Sequence, residues 1–203
     1  MERVWFITGA SRGFGRAFTE EAVKRGDKVI ATVRRVPHDD IFKHPSVLTV
    51  VMDVTKTDEV EKAIKDGMNR FGRIDVLINN AGFGFSGAFE ETTDEDLRNL
   101  FETDYFGVVN VTRRVIPLMR KAGKGVILNV SSQGGLMGFS GSSAYCAAKF
   151  AVVGLSDMVE KGNLPPRILI GAACCRAMKA RYEAELKDIA SYEAAASKTD
   201  FEE

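Results

Sequence analysis

The stretch SQGGLMGFSGSSAYCAAK, residues 132–149, holds three side chains that can do proton chemistry together. Ser132 is followed thirteen residues on by Tyr145, and Tyr145 four residues on by Lys149. On a helix, side chains at i and i+4 share a face. A lysine ammonium beside a phenol favours the phenolate by Coulomb attraction, which tunes the phenol to exchange a proton with a substrate oxygen near neutral pH. A serine hydroxyl on the turn after a strand can donate a hydrogen bond to the same oxygen and stabilise developing charge. These are the parts for interconverting a carbonyl and an alcohol. None of them carries electrons, so a hydride must come from a bound cofactor. By itself, a tyrosine four residues before a lysine is also what a solvated helix face looks like. The rest of the chain decides between the two.

The elements that would position a cofactor begin at the N-terminus. Arg3 to Thr8 is a short apolar run, TGASRGFG follows at Thr8 to Gly15, and Phe14 to Lys24 has helical apolar spacing that ends at Gly26-Asp27. Strand, glycine-rich turn and helix is the context in which such glycines bind a nucleotide. Gly9 allows a tight turn, Gly13 lets backbone approach a pyrophosphate, and Gly15 lets the helix pack closely on the strand. The helix N-terminus offers N–H groups and a positive dipole end to phosphate. Lys28 to Val33 reads as the second strand and ends in Arg34-Arg35. A carboxylate there would select NAD, whereas arginine accommodates a 2′-phosphate. Arg12 adds a second cation on the same side, so the pattern points to NADP(H); the alternative is that Arg34 and Arg35 are merely solvated.

Val47 to Met52 reads as the third strand, followed by Asp53-Val54. Asp53 either accepts from an adenine amino group or caps the helix that runs from Thr57 to about Phe71. Val76 to Ile78 is a fourth strand leading into Asn79-Asn80-Ala81-Gly82, where small residues let a cofactor ring lie on backbone and the asparagines can tie adjacent strands. One long helix is expected from roughly Asp94 to Ala122. Gly125 to Val130 is the fifth strand and ends in Ser131-Ser132, which puts the opening stretch at a strand's C-terminal edge, where ligands bind in open parallel sheets. Apolar strands alternating with helices predict an α/β fold, a Rossmann-type doubly wound parallel sheet with helices on both faces.

Composition narrows the function classes. The 203 residues make a single domain, 1–203, and the 28 basic residues balance the 28 acidic ones. That balance argues against nucleic acid or an anionic membrane as partner. No apolar run reaches transmembrane length. The cysteines, Cys146, Cys174 and Cys175, are odd in number with two adjacent, which reads as reduced thiols in a cytoplasmic protein. No metal-site spacing is present, and His38 and His44 sit in a polar connection.

With TGASRGFG, Asp53-Val54, NNAG at 79–82, Ser132 and YCAAK at 145–149 in this order, the chain resembles the short-chain dehydrogenase/reductase family, in its classical group, over about residues 1–160. The resemblance implies that Tyr145 is the general acid/base and Ser132 the oxyanion donor. It implies that Lys149 is both the phenol's electrostatic partner and a ligand of the nicotinamide ribose. It implies that Gly9, Ser11, Arg12, Gly13, Phe14 and Gly15 hold the phosphates and Arg34 the 2′-phosphate. Asp53 and Val54 would hold the adenine, and Asn80 the adjoining ribose, with Ala81 and Gly82 beside it. Family members often pair the helices near 95–120 and 143–160, which implies a homodimer or homotetramer.

Two departures stand out. Where the family commonly has an asparagine that organises a proton-relaying water chain, this chain has Asp104, an acid that would interact with Lys149 as a charge. Asn110, six residues on, would point to a different helix face. The second departure lies at 159–164, where the family's sixth strand and substrate loop are missing before a segment that resembles the final strand, last helix and tail. Either residues are absent from the sequence given or the chain is internally shortened. In the shortened case Arg167 to Gly171 would take the missing strand's place. The tail from about Ala173 to Ala190 reads as a helix.

The function expected is hydride transfer between NADP(H) and a ketone, aldehyde or secondary alcohol. Phe83, Phe85, Phe89, Leu136, Met137 and Phe139 flank the expected cleft, so the substrate is expected to be small and mostly apolar; the same side chains could instead be core. The rival is a catalytically impaired dinucleotide-binding sensor or scaffold, and a third possibility is an epimerase or dehydratase using the same tyrosine and lysine. Replacing Arg34 by Asp is expected to shift preference towards NAD(H). The ratio of kcat/KM for the two cofactors measures it, and an unmoved ratio would remove Arg34 from the cofactor assignment.

Overall fold

Short apolar runs become strands because both faces of the sheet are covered. The computed structural model describes residues 2–161 and 168–173. The strands are β1 (Val4–Ile7), β2 (Lys28–Val33), β3 (Val47–Val51), β4 (Val76–Asn79), β5 (Gly125–Val130) and β6 (Ile168–Ala173). They form one parallel sheet in the order β3-β2-β1-β4-β5-β6. β1 and β4 are buried along their whole length, as strands in a two-sided parallel sheet must be. Alternate side chains divide the core. Val4, Phe6, Ile30, Leu77 and Ile127 meet the helices α2 (Thr57–Phe71) and α4 (Gly107–Ala122). Trp5, Ile7, Val29, Ala31 and Ile78 meet α1 (Gly13–Lys24) on the other face.

The strand order reverses between β1 and β4, so their C-terminal ends open a crevice. The elements beside it differ from expectation at two places. The helix expected over 94–122 is α3 (Asp94–Phe101) and α4, joined by a π-helical turn over Glu102–Phe106. A π turn inserts a residue into the helical repeat and re-aims the side chains after it; here it delivers Asp104 to the interior. The second difference is the extent of β6, which runs to Ala173 rather than Gly171 and pairs with β5 from Gly125↔Ile168 to Val130↔Ala173. The segment expected at 167–171 for a shortened chain thus sits beside β5. The expected tail helix, Cys174 and Cys175 lie outside the described residues.

A buried chain of polar groups fastens β4 to β5 and to α5 (Ser143–Lys161). Asn79 and Asn129 are register partners. The Asn79 amide donates to Asn129 Oδ1 at 2.7 Å and to Thr112 Oγ1 at 2.9 Å. Asn129 donates to Ser156 Oγ at 3.0 Å, and Ser156 donates to the Val152 carbonyl at 2.7 Å. Asn129→Ala leaves the Asn79 amide with Thr112 as its remaining acceptor and removes the donor to Ser156 Oγ. Urea unfolding of this variant should show a loss of about 1–3 kcal/mol with the slope unchanged; an unaltered midpoint would show that the chain of bonds contributes nothing net.

Candidate active site

The crevice at the strand reversal is a cleft of about 310 Å³. Gly9, Ser11, Arg12, Gly13, Phe14, Arg34, Asp53, Val54, Asn80, Ala81, Gly82, Asp104, Tyr145 and Lys149 all line it. Residues expected to hold a dinucleotide and residues expected to move a proton therefore share one cavity. Ser132 and Gly15 are not among its lining.

At one end the backbone is shaped for an anion. Gly9 and Gly13 have φ of +65° and +56°, in the region L side chains rarely adopt. A Cβ on Gly9 would sit 2.9 Å from Ala81 Cα, so the turn also needs the missing side chain for space. Helix α1 begins at Gly13 with no acid in its first turn, and Arg12 at its N-cap makes no side-chain bond to it. The helix end thus keeps free N–H groups and a positive dipole end. Arg12 and Arg34 are both exposed, and among the described residues neither forms an ion pair. Gly15 is buried, and a Cβ there would meet the Gly9 carbonyl and the Asn80 amide, which is the close packing of α1 on β1 expected for it.

The turn after β4 is tied to the turn after β1. Thr8 Oγ1 accepts from the N–H groups of Asn80 and Ala81 at 2.9 Å each. The Asn80 amide donates to the carbonyls of Thr8 and Gly9, both at 3.0 Å. The Asn80 nitrogen expected to serve a ribose is thus committed to backbone. Asp53 Oδ1 accepts from the N–H and the hydroxyl of Thr55, at 2.9 Å each, and the Asp53 N–H donates to Glu59 at 2.7 Å. Lys56, not Asp53, occupies the N-cap of α2.

At the other end Tyr145 and Lys149 lie in the first two turns of α5, on one face. The Lys149 ammonium stands 5.7 Å from the centre of the Tyr145 ring. Lys149 is buried, donates to the Val130 carbonyl at 3.1 Å, and lies 3.0 Å from Asp104 Oδ2. The contact with Oδ2 lies off the direction of a well-formed hydrogen bond, so its attraction is mainly Coulombic. Asp104 is 0% exposed, and its Oδ1 accepts from the Phe83 N–H at 3.0 Å. Burial pushes the Asp104 carboxyl above its ordinary value, while the Lys149 charge and the Phe83 N–H pull it down. Asn110 donates to the Val54 carbonyl at 3.0 Å, on a different helix face as expected.

Ser132 sits at the start of a short 3₁₀ turn, where its Oγ accepts from the Gly134 N–H at 3.1 Å. With an oxygen lone pair used that way, the hydroxyl hydrogen remains to donate. Met52, Val130 and Ser131 also line the cleft and were not singled out in the sequence. Each ends or follows a strand, so the rule that strand C-termini line the site would have found them. Thr103 lines it through the π turn, which no spacing signal announced.

The short chain dehydrogenase family model matches residues 3–190. Oxidoreductase BOA17 of Botryotinia fuckeliana is 43% identical over 166 residues, covering 79% of this chain and 60% of that protein. A 3-ketodihydrosphingosine reductase of Bacteroides thetaiotaomicron is 43% identical over 155 residues, covering 76% and 56%. The chain thus spans under two thirds of the length of these relatives. Among solved structures, a short-chain dehydrogenase from Streptomyces avermitilis superposes with a TM-score of 0.80 at 42% identity, covering 86% of this chain and 64% of that one. ElxO with NADP bound gives 0.79 at 28%, covering 90% and 80%. The fold, the cleft at the strand reversal and these matches agree, and the chain belongs to the short-chain dehydrogenase family of oxidoreductases.

Proposed function

We propose that the protein is an NADP(H)-dependent carbonyl reductase, or secondary-alcohol dehydrogenase in reverse, acting on a small, mostly apolar substrate. The observation that carries this reading is that Tyr145 and Lys149 line the same cleft as the Gly9–Gly13 turn and Arg34. The residues present fit a dinucleotide: two positive-φ glycines, a helix end without acids, and two arginines that form no ion pair among the described residues. Gly9, Ser11, Arg12, Gly13 and Phe14 would hold its phosphates, and Arg34 a 2′-phosphate. Asp53 and Val54 would hold the adenine, and Ala81, Gly82, Tyr145 and Lys149 the nicotinamide side. When bound, the nicotinamide supplies or accepts the hydride. The ElxO structure, solved with NADP, supports the choice of NADP(H) alongside Arg12 and Arg34.

The remaining chemistry falls to this chain. Tyr145 donates a proton to the carbonyl oxygen as the carbon is reduced, and takes it back in the oxidation direction. Lys149, beside the phenol, stabilises the phenolate left behind. Ser132 donates its hydroxyl hydrogen to the same oxygen, its own oxygen being fixed by the Gly134 N–H. We read residues 1–203 as one catalytic domain with a segment absent near 159–164. A homodimer or homotetramer belongs to the reading on family resemblance, and a cytoplasmic location on the reduced, buried thiol of Cys146.

A second reading, a dinucleotide-binding protein with little catalysis, draws support from Lys149, whose ammonium is engaged by Asp104 and Val130. Tyr145→Phe separates the two. For the reductase, kcat with NADPH and a ketone should fall by at least about 100-fold while the Kd for NADPH in fluorescence titration stays within about twofold. A wild type that binds NADPH but turns over no ketone or aldehyde would establish the second reading.

A further inference from the structure

Among the described residues, Lys149 has one charged neighbour close enough to hold it. We propose that Asp104 is a positioning residue for the reaction: its ionised carboxylate fixes the Lys149 ammonium and couples it to the main chain of the Gly82–Phe83 turn. The inference rests on the reductase reading above. Three observations carry it. The carboxylate spans the gap, with Oδ2 3.0 Å from Lys149 Nζ and Oδ1 accepting from the Phe83 N–H at 3.0 Å. It is sealed from solvent, at 0% exposure. And the wall beside it is shaped to it, since a Cβ on Gly82 would lie 2.9 Å from Oδ2. Asp104 thus stands between the face of the cleft assigned to cofactor and the lysine assigned to the phenol. An aspartate that merely filled space would need neither the ammonium nor the N–H.

The groups around Asp104 make its charge state depend on few partners. From α5, Lys149 faces it, with the Tyr145 phenol beyond. From β5 come the Val130 carbonyl and Ser131, whose hydroxyl donates to the Lys149 carbonyl at 3.2 Å. The turn after β4 presents only the Phe83 N–H. On its own π turn, Glu102 is exposed and lines an outer hollow with Asp94 and Arg98, away from the cleft, and Tyr105 is half-buried. Among the described residues, Lys149 is therefore the one cation paired with Asp104. Burial raises the Asp104 carboxyl and Lys149 opposes the rise. For a carboxyl raised in the fold, the ionised form that holds the lysine is lost as pH falls through that raised value. A protonated Asp104 keeps its bond to Phe83 but no longer attracts the ammonium.

The test is kcat for ketone reduction against pH in wild type and Asp104→Asn. The carboxamide can still accept from Phe83 but carries no charge. The wild type should lose activity on the acid side at a pH above the ordinary aspartate range. In Asp104→Asn that limb should vanish and kcat at neutral pH should be lower by roughly tenfold. The same acid limb in both proteins would overturn the inference while leaving the reductase reading intact. A second measurement does not need turnover: ¹³C NMR titration of aspartate carboxyls in wild type and Lys149→Met. One carboxyl should titrate above the ordinary range and move further up without the ammonium; if none responds to Lys149→Met, the inference is overturned. A wild type that shows this coupling yet reduces no ketone or aldehyde would overturn the reductase reading and the positioning role with it.

Discussion

A buried ammonium is the constraint on which the rest of this cleft depends. Taking a lysine charge out of water costs several kcal/mol unless a partner and well-placed acceptors replace the lost hydration. Lys149 finds both, the carboxylate of Asp104 and the carbonyl of Val130. Each comes from a different layer of the fold, the π turn between α3 and α4 and the end of β5. Removing one member of such a pair costs about 3–5 kcal/mol, because it leaves the other charge uncompensated. The lysine therefore does more than flank a phenol. It pins α5 against the sheet edge and against the helix that crosses it, and in doing so fixes where the Tyr145 ring stands.

The same economy of layers operates at the glycine-turn end of the cleft. Thr8, Gly9, Gly15, Asn80 and Ala81 form one contact zone in which every group is either a hydrogen-bond partner or an absence of side chain. Gly15 must be glycine because a Cβ there would collide with the Gly9 carbonyl, and Gly9 because Ala81 leaves a Cβ no room. Asn80 then closes the zone by donating to both carbonyls. The result is a rigid junction of β1, β4 and α1 at the point where the strand order reverses. Two backbone turns are held open towards the cleft without any side chain filling it. Rigid placement of this kind is what a site needs when positioning does most of the work.

Most of this was legible in the sequence because period and glycine spacing are local signals. The strands, α1 and α2 fall within a residue or so of where apolar runs and turn residues put them. The residues of TGASRGFG, NNAG and YCAAK meet in one cleft, as strand C-termini in a parallel sheet require. What was not legible depended on three-dimensional competition for the same atoms. Asn80 has a side chain suited to a ribose hydroxyl, yet two nearby carbonyls claim its amide. The helix over 94–122 has an unbroken apolar repeat, and nothing in that spacing announces the π turn whose buried Asp104 meets Lys149 of α5.

The buried polar groups and the exposed loops obey different physics. Inside, Asp104, Lys149, Asn79 and Asn129 are buried polar groups whose geometry is set by one another. Of the apolar side chains expected to flank the cleft, Phe83 lines it, whereas Phe89, Leu136, Met137 and Phe139 are exposed on two loops and are not among its lining. A backbone bond from the Gly87 N–H to the Gly141 carbonyl, 2.9 Å long, joins these loops. The two regions share only Phe83, whose N–H holds Asp104 while its ring stands at the mouth. Exchange of an exposed loop side chain therefore leaves the bonds among the buried polar groups in place, whereas exchange of a buried one leaves a partner unsatisfied.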